Sequence, residues 1–243
     1  MTAMATINCD MGEGFGLYRI GDDRALMPLI DVANVACGFH AADPVQMQAT
    51  VRLAKAHGVA VGAHPSLPDL QGFGRREMAM GREELAACLI YQIGALSGFL
   101  AAEGMRLNHI KPHGALYGMA ARQAHVAEAI CDAADVFQVP IFGLPGTLHE
   151  TIYPARGHRY VAEYYADLDY DAEGRLIITR QHDAKDAAEA ARRAIRVMSE
   201  GLATTIEGTD LPMRADTVCI HSDTPGADQL ARAVNEALHP WFG

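Results

Sequence analysis

Short apolar runs recur along this chain, and nearly every one that reads as a strand leads to an ionisable side chain. Ala5-Thr6-Ile7-Asn8-Cys9 ends at Asp10, and Val32-Ala33-Asn34-Val35-Ala36-Cys37 leads to His40. Val59-Ala60-Val61-Gly62-Ala63 ends at His64. Leu107-Asn108-His109-Ile110 ends at Lys111, with His113 two residues on. Thr217-Val218-Cys219-Ile220 ends at His221, with Asp223 close behind. Brief apolar runs bounded by polar residues predict buried strands. In parallel sheets wound with helices, the carboxyl ends of all strands gather on one side, and binding and chemistry sit there. Residues scattered from Asp10 to Asp223 therefore converge on one pocket, which is the organisation of an enzyme.

Between these runs the apolar spacing shifts to three and four, the helical period. Asp43 is a good N-cap and Pro44 suits the first turn, so a helix follows His40. Met47, Val51 and Ala54 face inward on it, and Gly58 closes it. A longer helix, from about 82 to 103, turns Leu85, Leu89, Ile93, Leu96 and Leu100 inward. Val126, Ile130 and Ala133 mark another, followed by the strand Pro140-Ile141-Phe142-Gly143-Leu144. Ala188, Ala191, Ile195, Met198 and Leu202 form a late stripe. The last helix starts at Thr224-Pro225 with Leu230, Val234 and Leu238 inward. Strands near residues 7, 34, 61, 109, 142, 161 and 219 alternate with these helices, which predicts an α/β chain with a parallel sheet. About seven strands with polar ends over the whole length predict a closed or nearly closed (β/α) barrel, as a single domain over residues 1–243. Two segments break the alternation. Residues 65–81, rich in Gly and Pro, follow His64 and predict a lid or rim; residues 204–215 predict a hairpin with Gly208 in the turn.

Composition narrows the function. The chain has 243 residues, half of them hydrophobic, enough to bury a core without staples. A formal charge of −10, from 30 acidic and 20 basic residues, argues against nucleic acid or an anionic membrane as partner. Five cysteines with no C-x-x-C predict reduced thiols and a cytoplasmic protein. Residues 1–4 carry no basic flank or apolar segment of a secretory signal. No apolar stretch is expected to reach the length of a membrane span.

Several positions can carry chemistry. Asp10 lies in Asn8-Cys9-Asp10-Met11-Gly12-Glu13-Gly14-Phe15-Gly16, whose glycines allow close backbone approach to a ligand. This is no dinucleotide fingerprint, and no P-loop occurs, so a nucleotide would be held another way. His40 either packs under the next helix or faces the pocket. His64 suits a general base, a metal ligand or an oriented donor. Arg75 has the planar fork that matches a substrate carboxylate. In Lys111-Pro112-His113-Gly114-Ala115-Leu116-Tyr117, a desolvated lysine can bind an oxyanion or carry a lowered pKa, and Gly114 lets a ligand approach. His109 reads as inward packing. Asp167, Asp169 and Asp171 lack the rest of a calcium loop and read mostly as turn carboxylates, with Glu163 and Asp167 within reach of the rim. Asp223 either caps the following helix or orients a pocket residue. Asp10, His64 and His113 have the side-chain types for a divalent metal and come from different strand ends. No G-x-S-x-G occurs.

The segments 8–16, Ala36-Cys37-Gly38-Phe39-His40-Ala41-Ala42-Asp43-Pro44, Gly62-Ala63-His64-Pro65-Ser66, Asp69-Leu70-Gln71-Gly72-Phe73-Gly74-Arg75-Arg76, 111–117 and 214–221 stand in order along nearly the whole chain. Together they resemble the LamB/YcsF family of A subunits of bacterial ATP-dependent 5-oxoprolinase. The resemblance implies a seven-stranded (β/α) barrel related to the polysaccharide-deacetylase fold. It also implies cleavage of 5-oxo-L-proline to L-glutamate coupled to ATP hydrolysis, with ATP as co-substrate and two further subunits, B and C, as partners. The positions it places under suspicion are Asp10, Glu13, His40, His64, Lys111 and His113. After residue 167 the family continues through Arg-rich and Pro-Gly-rich residues, whereas here residues 180–183 run directly into a helix.

For lactam opening, the expected roles are His64 or His113 as base with Asp10 orienting it. Lys111 would meet developing negative charge, and Arg75 would hold the substrate carboxylate. Glu13, His40 and Asp223 would complete the binding set. Two other readings remain open: a metal-dependent deacetylase of an amide or sugar acting alone, and a non-catalytic subunit that presents the lactam to its partners.

Overall fold

Six of the apolar runs pair side by side in parallel, with both faces of the sheet covered. The computed structural model describes residues 5–177 and 184–241. In chain order its elements are β1 (Thr6–Met11), α1 (Asp23–Leu26), β2 (Val32–Ala36), α2 (Pro44–His57), β3 (Ala60–His64), α3 (Arg82–Ala102), α4 (Gly114–Ala120), α5 (Ala124–Phe137), β4 (Ile141–Gly143), α6 (Leu148–Ala155) and β5 (Tyr160–Tyr165). Then follow β6 (Asp169–Tyr170), β7 (Leu176–Ile177), α7 (Ala187–Glu200), β8 (Leu202–Thr204), β9 (Asp210–Pro212), β10 (Thr217–His221) and α8 (Ala227–Leu238). The main sheet is curled and runs β3-β2-β1-β10-β5-β4. Its register sets Asp10 level with Asn34 and His221, and Ala36 level with His64, so the polar ends line up along one edge.

The strand expected near residue 109 is not a strand. Ile110 alone bridges Ala63 of β3 and Ile141 of β4. Lys111 and Phe142 donate their amides to the Ala63 and Ile110 carbonyls, each at 2.9 Å. Pro112 and Pro140 lack the N–H groups that would extend either ladder, so six strands replace the expected seven.

The inner face of this sheet is polar. Asn34 donates to Asn8 Oδ1 and Asp10 Oδ1, both at 2.8 Å, and Asn8 donates to Thr217 Oγ1 at 2.9 Å. His109 Nε2 meets Asn34 Oδ1 at 2.7 Å, so the residue read as inward packing also joins this network. Its ring stacks on Phe142 at 3.9 Å and fills the space beside Gly62, where an added Cβ would lie 2.0 Å from the imidazole. The apolar core lies between sheet and helices, where Ile7, Cys9 and Met11 alternate with the inward Asn8 and Asp10.

The helices fall largely where the spacing puts them. Asp43 Oδ1 accepts the Val45 and Gln46 amides at 2.8 and 3.0 Å, and Gly58 ends α2 at φ 71°. The inward faces of α3, α5 and α8 are those expected. Contrary to expectation, α3 is long and apolar enough to cross a membrane by length and composition alone, with 21 residues and a mean hydropathy of 1.8. Its stripe from Leu85 to Leu100 packs into the core.

The stripe expected on α7 is offset. Ala190, Ala194 and Val197 are buried, while Ala188 and Ile195 face outward. The closest-packed face is lined by small residues, which a search for bulky apolar positions passes over. The final helix begins at Ala227, because Gly226 at φ 77° still belongs to the turn and Thr224 donates its hydroxyl to Asp167. The hairpin β8–β9 begins earlier than expected, at Leu202, with Gly208 at φ 81° in its turn. Residues 180–183, where the sequence departs from the family pattern, lie outside the described residues.

Candidate active site, a buried cluster of histidines and carboxylates

All eight residues singled out from the sequence lie at one end of the sheet. Asp10, Glu13, His40, His64, Lys111 and His113 are buried together, and Arg75 and Asp223 pair beside them at 2.7 Å.

Lys111 is the hub of the inner layer. Its Nζ lies 2.9 Å from Asp10 Oδ1, 2.9 Å from Glu163 Oε1 and 3.0 Å from Cys219 Sγ. Burial works against the ammonium, but Asp10, Cys219 and Glu163 together hold its pKa well above the usual lysine range. The direction is opposite to the lowered pKa that was one of the two options the sequence offered. The charge of Lys111 is already matched by two carboxylates, so its first effect is to fix Asp10. Burial alone would raise the Asp10 carboxyl, yet His64 and Lys111 hold it well below the usual range.

The histidines form the next layer. His64 Nδ1 lies 2.7 Å from the Lys111 carbonyl and His113 Nε2 lies 2.8 Å from the Phe73 carbonyl. A carbonyl only accepts, so each of these nitrogens carries hydrogen and donates. The inner nitrogens, His64 Nε2 and His113 Nδ1, face each other at 2.9 Å. Asp10 Oδ2 lies 3.3 Å from His64 Nε2, and Glu13 Oε1 lies 3.4 Å from His113 Nδ1 and 3.2 Å from His40 Nε2. The His40 and His113 rings stack at 3.8 Å. Burial, reinforced by the neighbouring imidazoles, pushes His40 and His113 well below the usual histidine range. Burial, with the charges of Asp10 and Asp223, pushes Glu13 well above that of a carboxyl group. His40 thus faces the cluster instead of packing under α2. Asp10 meets the inner nitrogen of His64, while the Lys111 carbonyl orients the ring.

The segment 65–81 closes over these rings as expected of a rim. Phe73 packs edge-on to His40 and His113, and Gly74 O accepts the Ala115 amide at 2.9 Å. The glycines serve this packing. A Cβ on Gly114 would lie 2.8 Å from Gly74 O, on Gly12 2.9 Å from Thr50 Oγ1, and on Gly14 2.8 Å from Tyr18 O. An added side chain at these positions would meet other parts of the same chain, and Gly114 also lines the pocket and groove at this site.

A water-sized pocket of about 30 Å³ reaches Asp10, His64, Lys111, His113 and His221. Beside it runs a groove of about 880 Å³, and the two share Arg75, Gly114, Tyr117 and Leu176. Arg75, Arg122, Arg175 and Arg214 line the groove.

Two features were missed as a unit. His221 Nδ1 lies 3.2 Å from both oxygens of the buried Asp167, and its Nε2 lies 3.8 Å from Asp10. Burial opposes its charge, but Asp167 outweighs it and raises the His221 pKa. The position of His221 at the end of β10 was the available signal. Glu163, expected near the rim, is fully buried against Lys111 and accepts from Tyr165 Oη at 2.7 Å.

Comparison with known proteins gives a consistent result. The chain is 49% identical over 236 residues to the 5-oxoprolinase A subunit of Thermus thermophilus, covering 96% of this chain and 94% of the relative. It is 46% identical over 238 residues to the lactam utilization protein lamB of Emericella nidulans, covering 96% and 94%. The crystal structure of the lactam utilization protein from Thermus thermophilus superposes with a TM-score of 0.91 at 48% identity, covering 98% of this chain and 96% of that one. The profile of the LamB/YcsF family matches residues 5–240, and the chain belongs to that family.

Proposed function

We propose that this chain is the A subunit of a cytoplasmic, ATP-dependent 5-oxoprolinase, a single-domain protein that works with two partner subunits to open 5-oxo-L-proline to L-glutamate. The observation that carries this reading is near-full-length identity of 49% to a protein of that name, in a chain whose strand ends converge on one buried ionisable cluster.

The chemistry suits the site. A lactam is a stabilised amide and needs activation. Transfer of the ATP γ-phosphoryl group to the amide oxygen activates the ring carbon, and water adds there. The C–N bond then breaks to release the amine, and a second water cleaves the resulting acyl phosphate. One lactam, one ATP and two waters give glutamate, ADP and phosphate. The reaction needs a proton carrier, fixed charge near the oxygen, and a cation for the substrate carboxylate.

Asp10, His64, Lys111 and His113 form the reacting end in this reading, with Glu13, His40, Arg75 and Asp223 around the ligand. His221 is the best-placed proton carrier. A carboxylate backs its Nδ1, as in hydrolase triads, whereas the inner nitrogens of His64 and His113 are directed at each other. The inner pocket has room for a water, so the lactam ring would occupy the adjoining groove, with its carboxylate on the Arg75 fork.

The test is glutamate release from 5-oxoproline and ATP by the complex reconstituted with its partner subunits. Lys111→Ala, His113→Ala and His221→Asn should each lower kcat by roughly a hundredfold or more. Full activity in both Lys111→Ala and His113→Ala would overturn the site assignment. Turnover by the chain alone, without ATP, would favour the simple amide hydrolase.

A further inference from the structure

The facing nitrogens of His64 and His113 pose a problem that the hydrogen bonds of the chain do not solve. Both outer nitrogens donate to backbone carbonyls, so in the neutral rings both inner nitrogens present lone pairs, 2.9 Å apart. Glu13 Oε1 adds a third acceptor 3.4 Å from His113 Nδ1. His40 Nε2 lies 3.2 Å from the same oxygen, and His40 Nδ1 has no partner among the described residues. With neutral rings, the two inner nitrogens and Glu13 Oε1 are three buried acceptors directed at one another, and a cation among them would relieve their repulsion.

We propose that Glu13, His40, His64 and His113 bind one borderline divalent cation of the zinc class, through Oε1, Nε2, Nε2 and Nδ1. One candidate ligand atom from each residue lies within 4.8 Å of the others. Tetrahedral zinc at its usual bond lengths holds neighbouring nitrogen and oxygen ligands about 3.3–3.5 Å apart. The contacts of 2.9, 3.2 and 3.4 Å already approach that spacing. Three imidazoles and one carboxylate favour zinc or cobalt over magnesium or calcium, which prefer all-oxygen sets. The carbonyls of Lys111 and Phe73 supply the outer support typical of metal-bound histidines, fixing ring orientation and tautomer. A second grouping, Asp10 with Cys219 and His221, is served differently, because the Lys111 ammonium already sits against Asp10 and Cys219.

The site differs from the metal set suggested by sequence, which was Asp10, His64 and His113. Asp10 is drawn to Lys111, while Glu13 and His40 take its place. The ion would tie together four separate stretches of the chain, because its ligands come from the segment after β1, the segment after β2, the end of β3 and the turn before α4. With four protein ligands a tetrahedral coordination shell is full.

The inference does not depend on the lactam reading, because its readout is metal uptake by the full-length chain. The chain is stripped with chelator, dialysed, and titrated with zinc by calorimetry and with cobalt(II) by visible absorption. The expected result is saturation at one equivalent, intense visible bands of tetrahedral cobalt, and a rise in thermal midpoint. Glu13→Gln, His40→Gln and His113→Gln should each weaken zinc binding by roughly a hundredfold or more. Cys219→Ser should bind within a few-fold of the unaltered chain. Absence of saturable uptake by the unaltered chain overturns the proposal, even if the variants fail to fold. Undiminished uptake by folded His40→Gln and His113→Gln overturns it equally.

Discussion

Replacing Lys111 with Met keeps most of the length of the side chain and removes its charge. The ammonium has two carboxylate contacts at 2.9 Å, to Asp10 and Glu163. At an effective dielectric of about 20, each contact corresponds to about 6 kcal/mol of attraction before desolvation is counted. Burying all three charges offsets most of that sum, so the cost of breaking the arrangement is the better guide. Removing one partner from a buried ion pair destabilises by roughly 3–5 kcal/mol, because the remaining charges stay buried without a counterion. For a chain of 243 residues this corresponds to a fall in Tm of roughly 6–20 °C.

Urea unfolding of Lys111→Met against the unaltered chain measures the difference. A second arm follows pH. Without the ammonium, one of the charges that holds the Asp10 carboxyl low is gone, and Asp10 gains more from protonation in the folded variant than in the unfolded one. The deficit of the variant should therefore shrink as pH falls from 7 to 5. A deficit under about 1 kcal/mol that does not change with pH would refute the charged-hub account.

Other expectations follow from the same geometry. Gly62→Ala places a methyl group 2.0 Å from His109, displacing the ring from Phe142, and should cost about 1–3 kcal/mol; an unchanged thermal midpoint would contradict this packing. His149 Nδ1 accepts the Leu144 amide at 3.0 Å, and burial pushes its pKa down from 6.5 to about 3. The unfolded chain then takes up this proton first, so stability falls as pH drops below 6.5, by about 2 kcal/mol at pH 5 from this group. His149→Gln should flatten that slope, and an unaltered slope would remove His149 as its source. Asp167→Asn withdraws the charge that raises the His221 pKa, so the His221 titration read by NMR should move to lower pH. An unmoved titration would show that Asp167 does not set it.

How much the sequence revealed depended on how local each signal was. Asp10, His64 and His221 are placed by strand ends, and a strand end is visible as an apolar run meeting a polar residue. Asp43 and Gly58 mark a helix by chemistry that acts within a few residues. The pairing of Lys111, just after the single bridge at Ile110, with Glu163 of β5 depends on how the sheet brings distant segments together, which no local pattern carries. Glu163 lies in an aromatic run, Tyr160–Tyr165, where the inward face cannot be told from the outward one by alternation alone. The run ending at Ile110 had the composition of a strand, but the flanking prolines left it a single bridge. In the opening loop, glycine spacing was compatible with ligand approach, and only tertiary packing assigned that space to Thr50 and Tyr18.

Phe73 holds a backbone φ of 55°, a conformation that disfavours residues with a side chain, while its carbonyl receives the hydrogen of His113 Nε2. The rim therefore does more than cover the cluster, because one strained peptide in it selects which nitrogen of a buried ring faces inward. The backbone conformation of the rim and the orientation of a buried ring thus meet at a single carbonyl group.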